Sequence, residues 1–224
     1  MTETALAIFG SDTNALPAHL QEAMERDRAL GNENVSAEDQ AVPRISLLQA
    51  LSPQIDDVEG ARPGQFHIST TNELVDSLMV INLAFRKEWA VFKDKDLGGG
   101  FNGSYESEAA ARAHVDTLPG NASDYQIIET AKHALLVLDE EGNPAYPAEM
   151  FFKSSALNQS RKWNSEISIK NGNAPRFATV WKLSPLKRKN DRGTWYVPQT
   201  EFLGYAPEAL YNEAKALYTA IAPK

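Results

Sequence analysis

The stretch Arg176–Phe202, RFATVWKLSPLKRKNDRGTWYVPQTEF, interleaves aromatic rings with positive charge and predicts a long β-hairpin. Phe177–Leu183 and Thr194–Phe202 are rich in aromatic and β-branched residues, which suit a pleated, half-buried surface. Pro185, Asn190, Asp191 and Gly193 supply turn chemistry between them. Side chains alternate across a strand, so Phe177, Thr179 and Trp181 are expected on one face, and Arg176, Ala178, Val180 and Lys182 on the other. The connection adds Lys187, Arg188, Lys189 and Arg192, a cluster that core packing gives no reason to collect. A solvated hairpin tip is the plain reading of that cluster.

Charge distribution favours a functional reading. The 224 residues carry a formal net charge of −8, which argues against a polyanionic partner only if it is evenly spread. It is not: residues 1–43 sum to −6 and residues 44–160 to −8, whereas residues 161–192 sum to +7 and residues 193–224 to −1. One basic island thus lies in an acidic chain.

Working outward, residues 1–42 are expected to be an acidic, largely flexible leader with a short helix at Pro17–Leu30. Residues 43–224 are expected to form the folded domain. Within it, the continuous apolar run Leu78–Leu83 predicts a strand covered on both faces. It leads into FRKEWAVFK, whose period of two puts Phe85, Lys87, Trp89, Val91 and Lys93 on one face and Arg86, Glu88, Ala90 and Phe92 on the other. LGGGFNGSY (97–105) lacks the spacing and following residues of a phosphate loop and reads as a flexible loop. Ser107 is an N-cap candidate for the alanine-rich helix that follows, which Pro119-Gly120 ends. Gln126–Ile128 and Ala134–Leu138 read as two strands or one irregular strand, and DEEGNP (139–144) as a hairpin turn before the strand AEMFFK. Ser154 or Ser155 would cap a helix carrying Arg161, Lys162 and Trp163. Pro207–Ile221 has proline at its start and apolar residues at helical spacing, predicting a terminal helix over 207–221 that packs on the domain.

Several function classes lose their chemistry. With no cysteine there are no disulfides, thiolate nucleophiles, iron–sulfur clusters or Cys-type zinc sites. His19, His67, His114 and His133 are scattered outside any metal-ligand pattern, and each reads as an ordinary polar or core histidine. Glu149 near Lys153 and the run Asp139–Glu141 do not form a convincing two-metal nuclease arrangement. The expectation is therefore no enzyme activity, no cofactor and no metal. No apolar run reaches the roughly 20 residues of a membrane span and the N-terminus lacks the order of a secretion signal, so a cytoplasmic protein without a membrane partner is expected.

PRISLLQALSP, the PGQF turn, FKSSALNQSRKWNSEI and FATVWKLSPLKRKNDRGTWYV together resemble single-stranded DNA-binding proteins of tailed bacteriophages, over roughly Val42–Ile221. The resemblance implies an α+β, mostly β fold: an elaborated OB-fold barrel with an inserted helix, a long aromatic-basic hairpin and a C-terminal helix. It also implies non-enzymatic, largely sequence-independent binding and protection of single-stranded DNA during phage replication, recombination or repair, in the host cytoplasm. Candidate stacking rings are Phe85, Trp89, Trp163, Trp181 and Tyr196, fewer than half of them expected to touch DNA because some must serve the core. Candidate phosphate contacts are Arg86, Lys87, Lys153, Arg161, Lys162, Arg176, Lys182, Lys187, Arg188 and Lys189. Rings and cations are expected to converge on one open channel. If about five cations meet phosphates, log affinity should fall against log salt with a slope near −3 to −4. Such proteins often end in an acidic tail that recruits replication partners. This chain ends IAPK, which leaves the acidic leader as the candidate for recruiting replication or recombination proteins. The alternative is an acidic protein-interaction module, a nucleic-acid mimic for a host polymerase or nuclease, supported by the net −14 of residues 1–160.

Overall fold

Leu78 to Lys93 contain neither glycine nor proline and form one uninterrupted sixteen-residue strand, β4. The computed structural model describes residue 27 and residues 30–36, 39–191 and 193–221. The chain divides into two units, Met1–Ala41 and Val42–Lys224. In the first, the described residues make local turns, such as Ser36 Oγ donating to Asp39 Oδ2 at 2.7 Å. Most of the Pro17–Leu30 helix expected from sequence lies outside the described residues, as does Arg192.

The second unit is built in the order β1 (Arg44–Leu47), α1 (Gln54–Asp57), β2 (Phe66–Ile68), β3 (Glu73–Val75), β4, β5 (Phe101–Tyr105), α2 (Glu108–Val115), β6 (Tyr125–Leu138), β7 (Pro144–Lys153), α3 (Leu157–Asn171), β8 (Thr179–Asn190), β9 (Gly193–Tyr205) and α4 (Glu208–Ile221). It is a mixed α+β protein, mostly sheet, whose sheet is strongly curled into a half-barrel. The strands run in the order β3-β2-β1-β7-β6-β4-β8-β9, with β5 added to β4. β1 joins β7 in parallel, and the other pairings are antiparallel.

Curling can be read from one side chain. Five strand spacings, roughly 24 Å on a flat sheet, separate β1 from β9. Yet the Gln49 amide just after β1 accepts from Tyr196 N–H at 2.9 Å and donates to Tyr196 O at 3.0 Å. The amide mimics a short neighbouring strand on the outer edge of β9.

Three apolar layers hold the sheet. One face, with Leu135, Met150 and Phe152, is covered by Trp163 and Ile167 of α3. The opposite face, with Ile81, Leu83 and Leu136, is covered by Leu210 and Ala214 of α4 together with Phe177. Ile81 and Val80 therefore face different covers, as a continuous apolar run requires. At the far end of β4 and β6, α2 buries Ala111 and Val115 against Val91 and Tyr125.

Local chemistry explains most element ends. Ala110 N–H donates to Ser107 Oγ at 3.1 Å, so Ser107 caps α2. Asp139 holds the β6–β7 turn by accepting from Asn143 N–H at 2.7 Å. Three readings from the sequence need correction. Neither Ser154 nor Ser155 caps α3 with its side chain: a 3₁₀ turn over Ser154–Ala156 precedes the helix and occupies its first N–H groups. The glycine-rich loop is shorter than read, because Phe101–Tyr105 pair with β4 as β5. The third concerns the hairpin. Phe177 lies in a 3₁₀ turn rather than the strand, and packs in a different layer from Trp181.

Candidate nucleic-acid interface

Pairing of β8 with β9 continues without a loop through Pro185↔Pro198 to Asn190↔Gly193. The predicted connection is therefore mostly strand, paired as far as Asn190 and Gly193. Two prolines can face each other because neither N–H is needed when both nitrogens point to the outer edges of a two-stranded ribbon. β4 pairs with β8 only over Val180–Leu183, so the hairpin beyond Ser184 projects as an arm. Lys187, Arg188 and Lys189 stand exposed near its tip, without an ion-pair partner among the described residues. Directly across the ladder lie Tyr196, Trp195 and Thr194 respectively. Opposed residues share a face, so Lys187 neighbours Tyr196, and Arg188 neighbours Trp195.

Trp195 is the ring that sequence reasoning missed. Pairing Asn190 with Gly193 puts Arg188 opposite Trp195 by simple counting, but reading Pro185 as part of the loop hides that register. Its Nε1–H is buried without a hydrogen-bond partner among the described residues. Tyr196 is half-buried: its ring lies over Gly64, where a Cβ would sit 2.8 Å from Cε1.

A second cluster surrounds the middle of β4. Phe85 is 38% exposed, with the Arg176 guanidinium 5.6 Å from its ring centre. Arg176 donates through Nε to Asn82 Oδ1 at 2.7 Å and through Nη2 to Asn164 Oδ1. Burial lowers its pKa to about 10, so it stays cationic at neutral pH. Asn82 Nδ2 faces His133 Nδ1 at 2.8 Å, and His133 Nε2 faces Ser160 Oγ at 2.8 Å. Lys87 lies 4.8 Å from the Trp89 ring centre and pairs with Glu129 at 3.0 Å, and Arg161 reaches the same carboxylate at 3.4 Å. The hydrogen bond from Lys87, aided by the charge of Arg161, holds the Glu129 carboxyl below its usual range. Trp89 is half-buried against the α2 layer.

The predicted single channel does not form. β8 runs antiparallel to β4 from Leu183↔Leu78, so the arm leaves one end of β4 while Phe85–Trp89 lie toward the other. Roughly fifteen residues of strand, about 50 Å of contour, separate Lys189 from Lys87. Two proposed stacking rings are core residues. Trp163 is 0% exposed and stacked on His133 at 4.9 Å, and Trp181 is 1% exposed with Nε1–H donating to Thr179 Oγ1 at 2.9 Å. Lys162 is exposed but pairs with Glu166 at 3.4 Å, and Lys153 lies 5.6 Å from the Phe92 ring centre. Lys182 is half-buried, while Arg86 is exposed beside Phe85.

Among the described residues no group of histidine and acidic side chains could hold a metal, and no helix is long and apolar enough to cross a membrane. Fold and surface thus define a mostly-sheet α+β protein whose curled half-barrel carries a cationic arm at one end and an aromatic-cationic cluster along β4. A family model described as Pam3 phage gp34-like protein matches residues 10–224, and the chain belongs to that phage family. No curated protein and no solved structure matches it.

Proposed function

We propose that this phage protein binds single-stranded DNA without strong sequence preference, as a non-enzymatic factor of replication, recombination or repair. The observation that carries the reading is the arm: three adjacent cations without an ion-pair partner among the described residues, each level with a neighbour on β9, two of those neighbours being aromatic. Lys187 and Lys189 share one face of the ribbon and Arg188 shares the other with Trp195, so cations on both faces can meet phosphates while Trp195 offers a π-surface to bases of any identity. The curled half-barrel is in keeping with an elaborated OB-type barrel, in which a curved sheet presents such side chains. Belonging to a phage family agrees with this setting.

Oligo-dT titration followed by tryptophan emission tests the proposal. With Trp163 and Trp181 sealed in the core and Trp89 half-buried on β4 away from the arm, quenching should arise chiefly from Trp195 and be mostly lost in Trp195→Phe. Three arm cations give an expected log–log salt slope near −2, from about −0.7 each. A salt-insensitive interaction, or saturable binding to a host polymerase or nuclease with none to oligo-dT, would put the acidic interaction module first.

A further inference from the structure

The outer edge of β4 is covered by β8 as far as Ile81 and by β5 from Trp89 onward, which leaves a notch between them. Arg176 fills part of the notch from the 3₁₀ turn before β8. The notch opens on a cavity of about 920 Å³, within the roughly 300–1,000 Å³ of small-molecule sites. Its wall is largely apolar, with Leu83 and Ala134 from the sheet and Leu217 and Tyr218 from α4. Four charged residues line it. Lys132 and Glu149 pair at 2.6 Å and cancel, leaving Arg86 and Arg176.

Arg176 is the informative group. It is half-buried and its partners are the neutral amide oxygens of Asn82 and Asn164. No carboxylate pairs with it among the described residues. A partly desolvated cation normally has a counter-charge, because taking it out of water is costly without one. Here two amides orient the guanidinium and nothing on the described chain neutralises it. We propose that the notch is a mononucleotide subsite, in which the phosphate meets Arg176 and Arg86 while the base enters the apolar cavity beside Phe85. The inference rests on the nucleic-acid reading for the class of ligand and on the notch for its position. It does not use the arm.

The test titrates dTMP into the full-length protein and follows the Arg176 Nε–Hε resonance, with inorganic phosphate and octanoate as comparison ligands. Saturable perturbation by dTMP is expected, at least about tenfold tighter than by either comparison ligand. Phe85→Ser and Leu217→Trp, the first removing the ring and the second filling the cavity, should each weaken dTMP about tenfold. Both avoid the Asn82–Arg176–Asn164 clamp, whose loss could itself disturb the fold. Lys187→Ala/Arg188→Ala/Lys189→Ala should leave dTMP binding unchanged. No perturbation up to roughly 10 mM overturns the proposal, as does phosphate or octanoate binding as well as dTMP, or loss of dTMP binding in the arm variant. Oligo-dT failing while dTMP still binds the notch would remove the arm reading alone. The converse would remove the subsite alone.

Discussion

Asn82 fixes the protonation state of His133 without touching a proton of the ring. Its Oδ1 accepts from Arg176 Nε–H, so its amide nitrogen must be the atom facing His133 Nδ1, which therefore carries a lone pair. The ring proton is on Nε2 and is donated to Ser160 Oγ. Burial, helped by the nearby Arg176 charge, depresses the His133 pKa from 6.5 to about 3. Its contribution is fully present above pH 6.5 and is lost as pH falls toward 3, because the unfolded chain takes up a proton that the folded one refuses. At pH 5 this loss amounts to about 2 kcal/mol relative to neutrality. Urea denaturation between pH 7.5 and 4.5 should show it, and imidazole resonances should remain those of the neutral Nε2–H tautomer throughout. A His133 that titrates near 6.5 in the folded protein would contradict the network. The indoles beside it allow a second prediction at this scale. Trp163→Ala or Trp181→Ala should each cost about 3–5 kcal/mol in urea denaturation. Trp163→Phe should leave oligo-dT affinity unchanged, since a sealed ring cannot stack on a base.

The arm is held midway along its length by the Gln49 amide on Tyr196 and by the close seat of the Tyr196 ring over Gly64. Gly64 has φ +94°, a conformation that disfavours side chains, and a Cβ there would press into the ring. Gly64→Ala should therefore destabilise by more than about 1 kcal/mol and loosen the arm, seen as faster amide exchange at Tyr196. Changing Lys187, Arg188 and Lys189 together to alanine touches no such anchor. It should flatten the salt slope of oligo-dT binding toward zero while leaving the melting temperature nearly unchanged. These elements differ in how far the sequence discloses them. β4, α2 and α4 follow from periodicity and caps because their determinants lie within each segment. The length of the β8–β9 ladder does not, because Pro185 and Pro198 break a central strand yet are tolerated in a two-stranded ribbon where their nitrogens point to the outer edges. Gln49 acting as a strand substitute depends on a partner 147 positions away, and no local pattern encodes that.

The register of β8 on β4 puts the arm and the Phe85–Trp89 cluster at different ends of β4. Composition reveals the residue types of the candidate site, whereas their separation depends on β8 meeting β4 at Leu78–Ile81 rather than further along. Trp163 and Trp181 share a similar fate: a basic, aromatic segment looks the same in sequence whether its rings point at solvent or into the core between the sheet and α3. Net charge does not depend on such placement. Residues 1–41 contribute −6 of the total −8, and residues 42–224 carry −2. A polyanion approaching the whole chain meets a repulsive background that the isolated second unit lacks. Deleting residues 1–41 should tighten oligo-dT binding several-fold at about 10–20 mM salt, mainly through faster association. At 0.15 M the Debye length is about 8 Å, so the difference should shrink toward nothing there. Stopped-flow association measured at both salt concentrations separates the outcomes. A gain that persists at high salt would point to direct competition by the acidic segment for the basic surface, and no gain at either would mean that its charge is not felt at the binding site.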